Sequence, residues 1–493
     1  MPDSLSRRAL AGALLGPILL AGCAAVPQLG ARPEPRPAAS YAATASFARA
    51  APAESWPDAG WWRAYGDAQL SALIEEGLKG APDVAVAVAR LRAAEGYRQQ
   101  ARGALLPSLD GTAKAGGAKQ SYHNGIPAAF APKGWNDTGS AALSLDFDID
   151  LWGRNRAALR AATSDAEAAR LDLEEARLLL STNIASAYAD LARLHAERDV
   201  QVAAIDLRIN SQTLVANRVA TGLDTRAELK QADAAVPAAR AELASLDESL
   251  ALTRNRIAAL MGEGPDRGLA IVRPVAMMQA RGLPGDVTTD LIGRRPDVAA
   301  ARARVEAAAE RIKVAHADFY PAISLSALAG YQSLGLSNLL KGGSSYGNAG
   351  AAVSLPIFHG GEIAGRYRTA RATYDEAVAN YDRGVADAFH EVADAVTSQA
   401  MLADRLSQSR QALADSEEAY SIARQRYEGG LSTYLTVLTA EDTVLQNRRT
   451  VADLQSRAFT LDVALVRALG GGLVSSSTSP AVAGDASKDD HHG

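Results

Sequence analysis

The sequence is poor in aromatic residues, in cysteine and in net positive charge. Aromatic residues make up 5 % of the 493 residues, which is few for a core of bulky side chains. The formal net charge of −5 provides no basic surface, so we expect no nucleic-acid partner. No run of about 20 apolar residues follows the N-terminal region, which argues against a transmembrane helix there. The apolar residues, 48 % of the chain with alanine the most frequent, suit helices packed closely through small side chains.

Recognisable catalytic motifs are also missing. The seven histidines include a C-terminal pair, His491 and His492, but no HExxH motif or other close set of metal ligands. Serines, histidines and acids are scattered along helical stretches, without a nucleophile elbow or a phosphate-binding glycine loop. We therefore predict that the chain is not an enzyme and has no cofactor and no metal site.

The N-terminal sequence predicts export and lipidation. Arg7 and Arg8 precede an apolar stretch, and residues 1–22 have the organisation of a signal peptide. The only cysteine, Cys23, lies where cleavage would occur, and the preceding Leu-Ala-Gly resembles a bacterial lipobox. Acylation of Cys23 would attach the mature chain to a membrane, and Ala24 after it suggests the outer membrane.

Low-complexity segments lie at both ends of the mature chain. Residues 23–57 are rich in proline and alanine, which predicts an extended, lipidated tether. Residues 473–493 are rich in serine and acidic side chains, which predicts a disordered tail.

The region between them contains an internal duplication. Pro82 and Pro296 each begin an alanine-rich Pro-Asp-Val stretch that ends at a second proline, Pro107 or Pro321, at the same distance. A repeat of this size predicts a duplicated architecture. The two repeats are expected at residues 58–265 and 266–472.

Each repeat contains a pair of long helical stretches. Residues 154–221 have no glycine or proline and carry apolar residues three or four positions apart, which predicts one helix roughly 100 Å long. The expected helical hairpins lie at about residues 153–262 and 361–470. Hairpins of this length need neighbouring helices to bury their apolar faces, from the other repeat or from another copy of the chain.

Each repeat also contains a stretch of period two. Residues 140–151 alternate leucine, phenylalanine and isoleucine with serine and aspartate, as expected of a strand with one face in an apolar environment and the other in water. We expect β-hairpins at about residues 108–151 and 321–358, with the second made of strands 322–332 and 349–358. A soluble sheet capping a helical bundle would show the same alternation. Four strands cannot close a barrel, so a membrane location requires several chains, and three would supply twelve strands.

Several motifs occur in an order that resembles one family. They are Trp61-Trp62-Arg63, Tyr65-Gly66-Asp67, Arg294-Arg295-Pro296-Asp297, Ala317-Asp318-Phe319-Tyr320-Pro321, Leu355-Pro356-Ile357-Phe358 and the turn after Tyr427. With Cys23, they resemble the outer membrane efflux proteins, the TolC-like channels, in the NodT-type lipoprotein branch. The resemblance implies a membrane α+β fold: a homotrimer with a twelve-stranded transmembrane β-barrel continuous with a long periplasmic α-helical barrel.

The same resemblance implies a function and partners. The chain would be the passive exit duct of a tripartite efflux pump for drugs or other small toxic compounds, driven by an inner-membrane RND-type transporter through a periplasmic adaptor. It would sit in outer-membrane lipid and extend into the periplasm. The outer duct of a type I protein secretion system and a lipid-anchored coiled-coil scaffold without a pore remain as alternatives. The substrate is not predicted.

The resemblance also implies candidate site residues at the far ends of the helical hairpins. The periplasmic tip turns and adaptor contacts would be Gly222, Leu223, Thr225, Gly430, Leu431 and Thr433. An acidic residue that narrows the pore in many relatives is replaced by Thr439 here, so Tyr427, Glu441 and Asp442 are the candidates for a constriction. A solvated outer helix face is the alternative for both acids.

Three acids on the strand pattern are candidate lumen residues. Asp146, Asp148 and Asp150 would face the lumen if the alternating apolar residues face lipid, and would favour cations there. The alternative places them at the junction between strands and helices.

Overall fold

The computed structural model describes residues 26–275, 282–285 and 287–473, apart from residues 49, 51, 54, 122, 124–126 and 128. The predicted signal peptide, the lipidation site Cys23 and nearly all of the predicted tail lie outside the described residues. Residues 91–169 and 301–380 belong to one compact unit, and residues 36–90, 170–300 and 381–473 to a second. Among the described residues, no helix is both long and apolar enough to cross a membrane.

The two repeats contain helices and strands in the same order: two helices, two strands and two long helices. The first repeat contains α1 Ala68–Gly80, α2 Pro82–Gly103, β1 Ser108–Lys119, β2 Trp135–Ile149, α3 Arg154–Ala220 and α4 Arg226–Met261. The second contains α5 Val287–Arg294, α6 Pro296–Ala317, β3 Ala322–Leu334, β4 Ser345–Ser354, α7 Glu362–Glu428 and α8 Tyr434–Ala468. The alanine-rich composition and the scarcity of glycine and proline explain why α3 and α7 run for 67 residues each.

The four long strands form one antiparallel sheet in the order β1-β2-β3-β4. Leu145 on β2 lies opposite Leu109 on β1 and Ala327 on β3, so the period-two pattern places most of the apolar side chains of the sheet on one face. Leu328, opposite Ser144, is an exception on the other face. The opposite face carries the polar residues, among them Asp146 and Ser326. The first and last strands of the sheet, β1 and β4, are exposed along their whole length.

The strand bounds differ from the sequence prediction at two places. Strand β2 begins at Trp135, five residues before the period-two stretch at residues 140–151, because Trp135 pairs with Lys119 and extends the hairpin. Strand β4 spans Ser345–Ser354 rather than residues 349–358. Pro356 has no backbone N–H to donate to a ladder, so the strand ends before it.

The hairpin registers also determine which residues of the two repeats correspond. Ser108 and Ala322 begin equivalent strands, and they lie opposite Asp146 and Ser354. Asp146 therefore corresponds to Ser354, whereas matching the Ser-Leu pairs at residues 144–145 and 354–355 would set it against Pro356. The second hairpin is the shorter of the two, so an alignment based on Ser-Leu pairs is shifted by two residues.

In the halves nearer the two turns, polar contacts show that the long helices lie side by side in the order α4-α3-α8-α7. Gln201 on α3 donates to the carbonyl of Ala239 on α4 at 2.8 Å and accepts from Arg449 on α8 at 2.5 Å. Asn447 on α8 donates to Ser416 on α7 at 3.1 Å. The two helical hairpins therefore pack side by side, with α3 and α8 at the seam.

The segment that the sequence predicts as a tether lies along helix α7. In the first unit, the Tyr374 hydroxyl donates to the carbonyl of Pro33 at 3.1 Å, and Arg371 donates to the carbonyls of Gly30 and Ala31. In the second, the backbone N–H of Arg36 donates to Asp382 at 2.9 Å. Tyr41 and Phe47 stack on Phe389, with ring centres 5.7 and 6.2 Å away.

Candidate functional sites at the helical turns and on the sheet

The two turns between long helices share one geometry. Gly222 and Gly430 both have φ +76°, a left-handed conformation that side chains with a Cβ adopt at a cost. The backbone N–H of Leu223 donates to the carbonyl of Arg218 at 2.8 Å, which is the hydrogen bond of a Schellman motif. Leu431 donates to the carbonyl of Arg426 at 2.7 Å in the same way. Glycine is needed at both positions because each chain reversal closes through this motif.

The helices after the two turns begin differently. Thr225 and Glu228 form a capping box: Thr225 Oγ1 accepts from the backbone N–H of Ala227 at 3.2 Å, and Glu228 accepts from the N–H of Thr225 at 3.0 Å. Thr433 occupies the same position before α8 but makes no side-chain cap. The exposed leucines of the turns, Leu223 and Leu431, are 65 and 73 % exposed.

A network of three side chains ties the two turns together. The Arg218 guanidinium forms an ion pair with Asp224 at 3.0 Å, and its central carbon lies 4.4 Å from the centre of the Tyr427 ring. The Tyr427 hydroxyl donates to Asp224. Arg218 and Asp224 belong to the first hairpin, whereas Tyr427 belongs to the second. The network therefore bridges the hairpins, and we call it the tip network.

Tyr427 is 1 % exposed, although the sequence proposes it for a pore constriction. It packs in an apolar cluster with Val215, Ala232, Tyr434 and Val437, which come from all three of the other long helices. Burial and the hydrogen bond to the Asp224 carboxylate raise the pKa of the Tyr427 hydroxyl well above its ordinary value. The hydroxyl therefore stays protonated and donates across the physiological pH range.

A second contact between hairpins involves the candidate constriction acids. Glu441 is fully buried between α3 and α8, where it accepts from the Ser211 hydroxyl at 2.8 Å and lies 3.0 Å from Arg208. Burial raises the pKa of Glu441, against the opposing effects of Ser211 and Arg208. Asp442 also pairs with Arg208, but its side chain is 61 % exposed. Of the two acids, only Asp442 has an exposed side chain in the single chain.

The three lumen candidates fall at two different places. Asp146 and Asp148 lie on the polar face of the sheet, opposite Ser326 and Ser324 of β3. Asp150 lies beyond the end of β2, where it accepts from the backbone N–H groups of Asn155 at 3.1 Å and Arg156 at 2.9 Å. Its carboxylate holds the start of helix α3 rather than standing free on the sheet face.

Reasoning from the sequence misses Arg208, Ser211, Arg218 and Asp224 as partners of the candidate residues. Each is a polar residue inside or beside a helical stretch, and polar residues there usually face solvent. Their positions become meaningful only when the seam between α3 and α8 is known. Within the described part of the chain, no group of three or more His, Cys, Asp or Glu side chains could hold a metal ion.

Comparisons with known proteins agree with this duplicated architecture. The family model described as "Outer membrane efflux protein" matches residues 73–263 and 287–471. Fusaric acid resistance protein FusA of Burkholderia cepacia is 35 % identical over 366 residues, 72 % of this chain and 68 % of that protein.

Solved structures show the same fold. The outer membrane protein VceC from Vibrio cholerae is 44 % identical, with a TM-score of 0.81 over 85 % of this chain and all of that chain. The outer-membrane channel OprN is 27 % identical, with a TM-score of 0.80 over 91 % of this chain and 99 % of that one.

Proposed function

The chain belongs to the outer membrane efflux protein family, and we propose that it is the outer-membrane duct of a tripartite efflux pump. In this proposal, an inner-membrane RND-type transporter supplies the energy and a periplasmic adaptor connects it to the duct. The duct itself is passive, and we assign it no catalytic role. Its cargo is drugs or other small toxic compounds, a class consistent with the name of the fusaric acid resistance relative.

The exposed apolar face of the sheet and its two unpaired edges support the proposed membrane duct. Its apolar face exposes large side chains, including Leu109, Leu143 and Val353, which are 67, 57 and 67 % exposed. A soluble protein would bury such a face, whereas a lipid-crossing sheet must expose it. Because an open sheet edge is not tolerated in lipid, the free edges at β1 and β4 require partners. Three copies would close a twelve-stranded sheet, so we propose a homotrimer.

We assign the helical turns to contact with the adaptor. Leu223 and Leu431 project from glycine-containing turns and are exposed, as apolar anchors of a docking surface are before the partner binds. The tip network holds the two turns of one chain against each other beside this surface. In the proposed duct, the network keeps the helical end narrow, and its rupture lets the hairpins separate.

The location follows from the N-terminal sequence. Cys23 is proposed as the lipidated residue that anchors the mature chain in the outer membrane. The contacts of residues 30–47 with α7 hold the segment after this cysteine against the body of the protein. The anchor is therefore tied to the chain at several points rather than by a free linker.

A deletion strain tests the function. Removing the gene should lower the inhibitory concentrations of a panel of drugs, solvents and metal salts for at least one class, and a plasmid copy should restore them. A copy that carries Leu223→Asp and Leu431→Asp, with a charge at each turn, should reach the outer membrane but fail to restore resistance. Unchanged susceptibility together with loss of a protein from the culture medium would instead indicate a type I secretion duct. No effect on either would contradict a transport role.

A further inference from the structure

The end of the sheet remote from the helices carries three exposed lysines, Lys119, Lys133 and Lys341, which we call the outer lysine surface. We propose that this surface binds a lipid headgroup that bears two phosphates, in the outer leaflet of the membrane. The inference rests on the proposed membrane duct and adds the class of lipid that its outer end contacts. Lipid binding tests it separately from transport.

Charge is distributed unevenly along the sheet. Residues 111–145 and 325–361 contain four lysines, no arginine and a single acid, Asp137. Nearer the helices the charges are mixed and paired, as in the ion pair between Arg154 and Asp318 at 3.1 Å. One end of the sheet is therefore charge-balanced, whereas the other is cationic. This contrast favours an anionic headgroup at the cationic end alone.

The loop between β3 and β4 lies against the apolar face of the sheet. A Cβ on Gly139, which belongs to that face, would come within 2.8 Å of the Leu336 side chain and 3.4 Å of the Leu339 side chain. The Asp137 carboxylate accepts from the backbone N–H of Leu336 at 2.7 Å. The single acid of this region therefore holds the loop in place, and the loop, with Lys341 in it, lies on the lipid side of the proposed duct.

The other two lysines lie beside the start of β2. Lys119 is directly opposite Trp135 on the apolar face, and Lys133 precedes Trp135 by two residues. Within the described residues, the ammonium groups of Lys119 and Lys133 have no partner, and that of Lys341 donates to the side-chain oxygen of Asn338 at 2.8 Å. Three lysines and one acid give this surface a net charge of +2 (3 − 1). A headgroup with two phosphates has the complementary charge.

Aromatic side chains indicate that this surface lies at the level of the headgroups. Trp135 and Tyr331 are exposed on the apolar face, and Trp152 stacks on Tyr320 at the other end of the sheet. Trp135 lies 14 residues from Ile149 at the end of β2 (149 − 135), which is about 48 Å along the strand and about 34 Å in height at a tilt of about 45°. Because the hydrocarbon core is about 30 Å thick, each aromatic pair lies near one interface.

The chemistry of lysine suits such a contact. Its methylene groups can lie along an apolar surface while the ammonium group reaches a phosphate. Leu340, beside Lys341, is exposed and can enter the acyl region below the phosphates. Each lysine near an anionic lipid surface strengthens binding by about fivefold. A zwitterionic headgroup has no net charge and gains little from a surface of charge +2.

Native mass spectrometry of the purified full-length chain tests the binding with defined lipids. The probes are lipid A with two phosphates, lipid A with one phosphate, and zwitterionic phosphatidylethanolamine. The form with two phosphates should bind at least fivefold more tightly than the form with one, and phosphatidylethanolamine should bind most weakly. Replacing the three lysines together, by Lys119→Gln, Lys133→Gln and Lys341→Gln, should weaken binding of the two-phosphate form by roughly 100-fold.

Strand β1 supplies a matched control. Lys114 is exposed five residues before Lys119 but lies on the polar face, opposite Ser140. Lys119→Gln should weaken binding of the two-phosphate lipid A about fivefold, whereas Lys114→Gln should leave it within twofold of the wild-type value. Lys119→Arg keeps the charge and should retain binding. Thermal melts in lipid-free detergent should agree for all variants, which separates a loss of binding from a loss of folding.

The outcomes separate the lipid surface from the function. Equal effects of Lys119→Gln and Lys114→Gln, or undiminished binding by the triple variant, would overturn the outer lysine surface. Equal affinity for the two forms of lipid A would overturn the two-phosphate headgroup. Restored resistance in the deletion strain without lysine-dependent binding would refute the lipid surface and leave the efflux function intact. Lysine-dependent binding by a wild-type chain that neither restores resistance nor conducts would refute the duct instead.

Discussion

The tip network predicts that Tyr427→Phe opens the duct. The substitution keeps the ring, its place in the apolar cluster and its contact with Arg218, but removes the hydroxyl that donates to Asp224. A hydrogen bond to a charged group contributes about 1.5–3 kcal/mol. Without it, the Asp224 carboxylate, whose side chain is only 11 % exposed, lacks one hydrogen-bond donor. The equilibrium between closed and open ends should shift by roughly 10–100-fold per copy.

Single-channel recording in planar bilayers measures this shift as open probability. Tyr434→Phe is the matched control, because Tyr434 packs 5.9 Å from the Tyr427 ring and its hydroxyl makes no hydrogen bond within the described residues. Tyr427→Phe should raise the open probability at least tenfold, and Tyr434→Phe should leave it near the wild-type value. Equal effects of the two variants, or no effect of either, would refute a role for the hydrogen bond in closure.

Three other predictions concern different parts of the chain. Burial raises the pKa of Glu175 to about 7, so the contribution of this residue to stability is greatest at low pH and is lost as the pH rises toward and past that value. Glu175→Gln should therefore raise the Tm at pH 8 by the equivalent of roughly 2–3 kcal/mol. At pH 4 the same substitution should leave the Tm unchanged, as thermal melts will show. Asp146→Asn with Asp148→Asn should reduce cation selectivity in bilayer recordings, whereas Asp150→Asn should leave selectivity unchanged and lower stability instead. Gly430→Ala should cost about 1–2 kcal/mol because of its positive φ, and a wild-type melting temperature would contradict that strain.

Elements set by local sequence can be predicted closely. Strand β1 begins just after Pro107 and spans Ser108–Lys119, as its composition and the proline boundary indicate. The glycines of the turns are predictable because each lies between two long helical stretches in which glycine and proline are rare, so the chain must reverse there. Strand β4 is shifted because its first residues, Ser-Tyr-Gly-Asn, have the composition of a loop. They form a strand only because β3 offers them a ladder.

The partners of the candidate residues could not be predicted. The burial of Glu441 depends on which faces of α3 and α8 meet, and an acid on a helix of mixed composition gives no local sign of that choice. Asp224 gives no sign of its role either, since an aspartate in a turn is ordinary. The docking of residues 30–47 on α7 is equally hidden, because a proline-rich segment has the same composition whether it lies free or along a helix.

The assignment of this chain as a duct is best tested by the conductance of the purified, lipidated chain in planar bilayers. We expect stable, uniform conductance steps from a trimeric preparation, with the step size of a wide pore and an open probability that rises in Tyr427→Phe. A trimer that inserts into the bilayer and gives no conductance in either form would contradict the assignment of this chain as a duct.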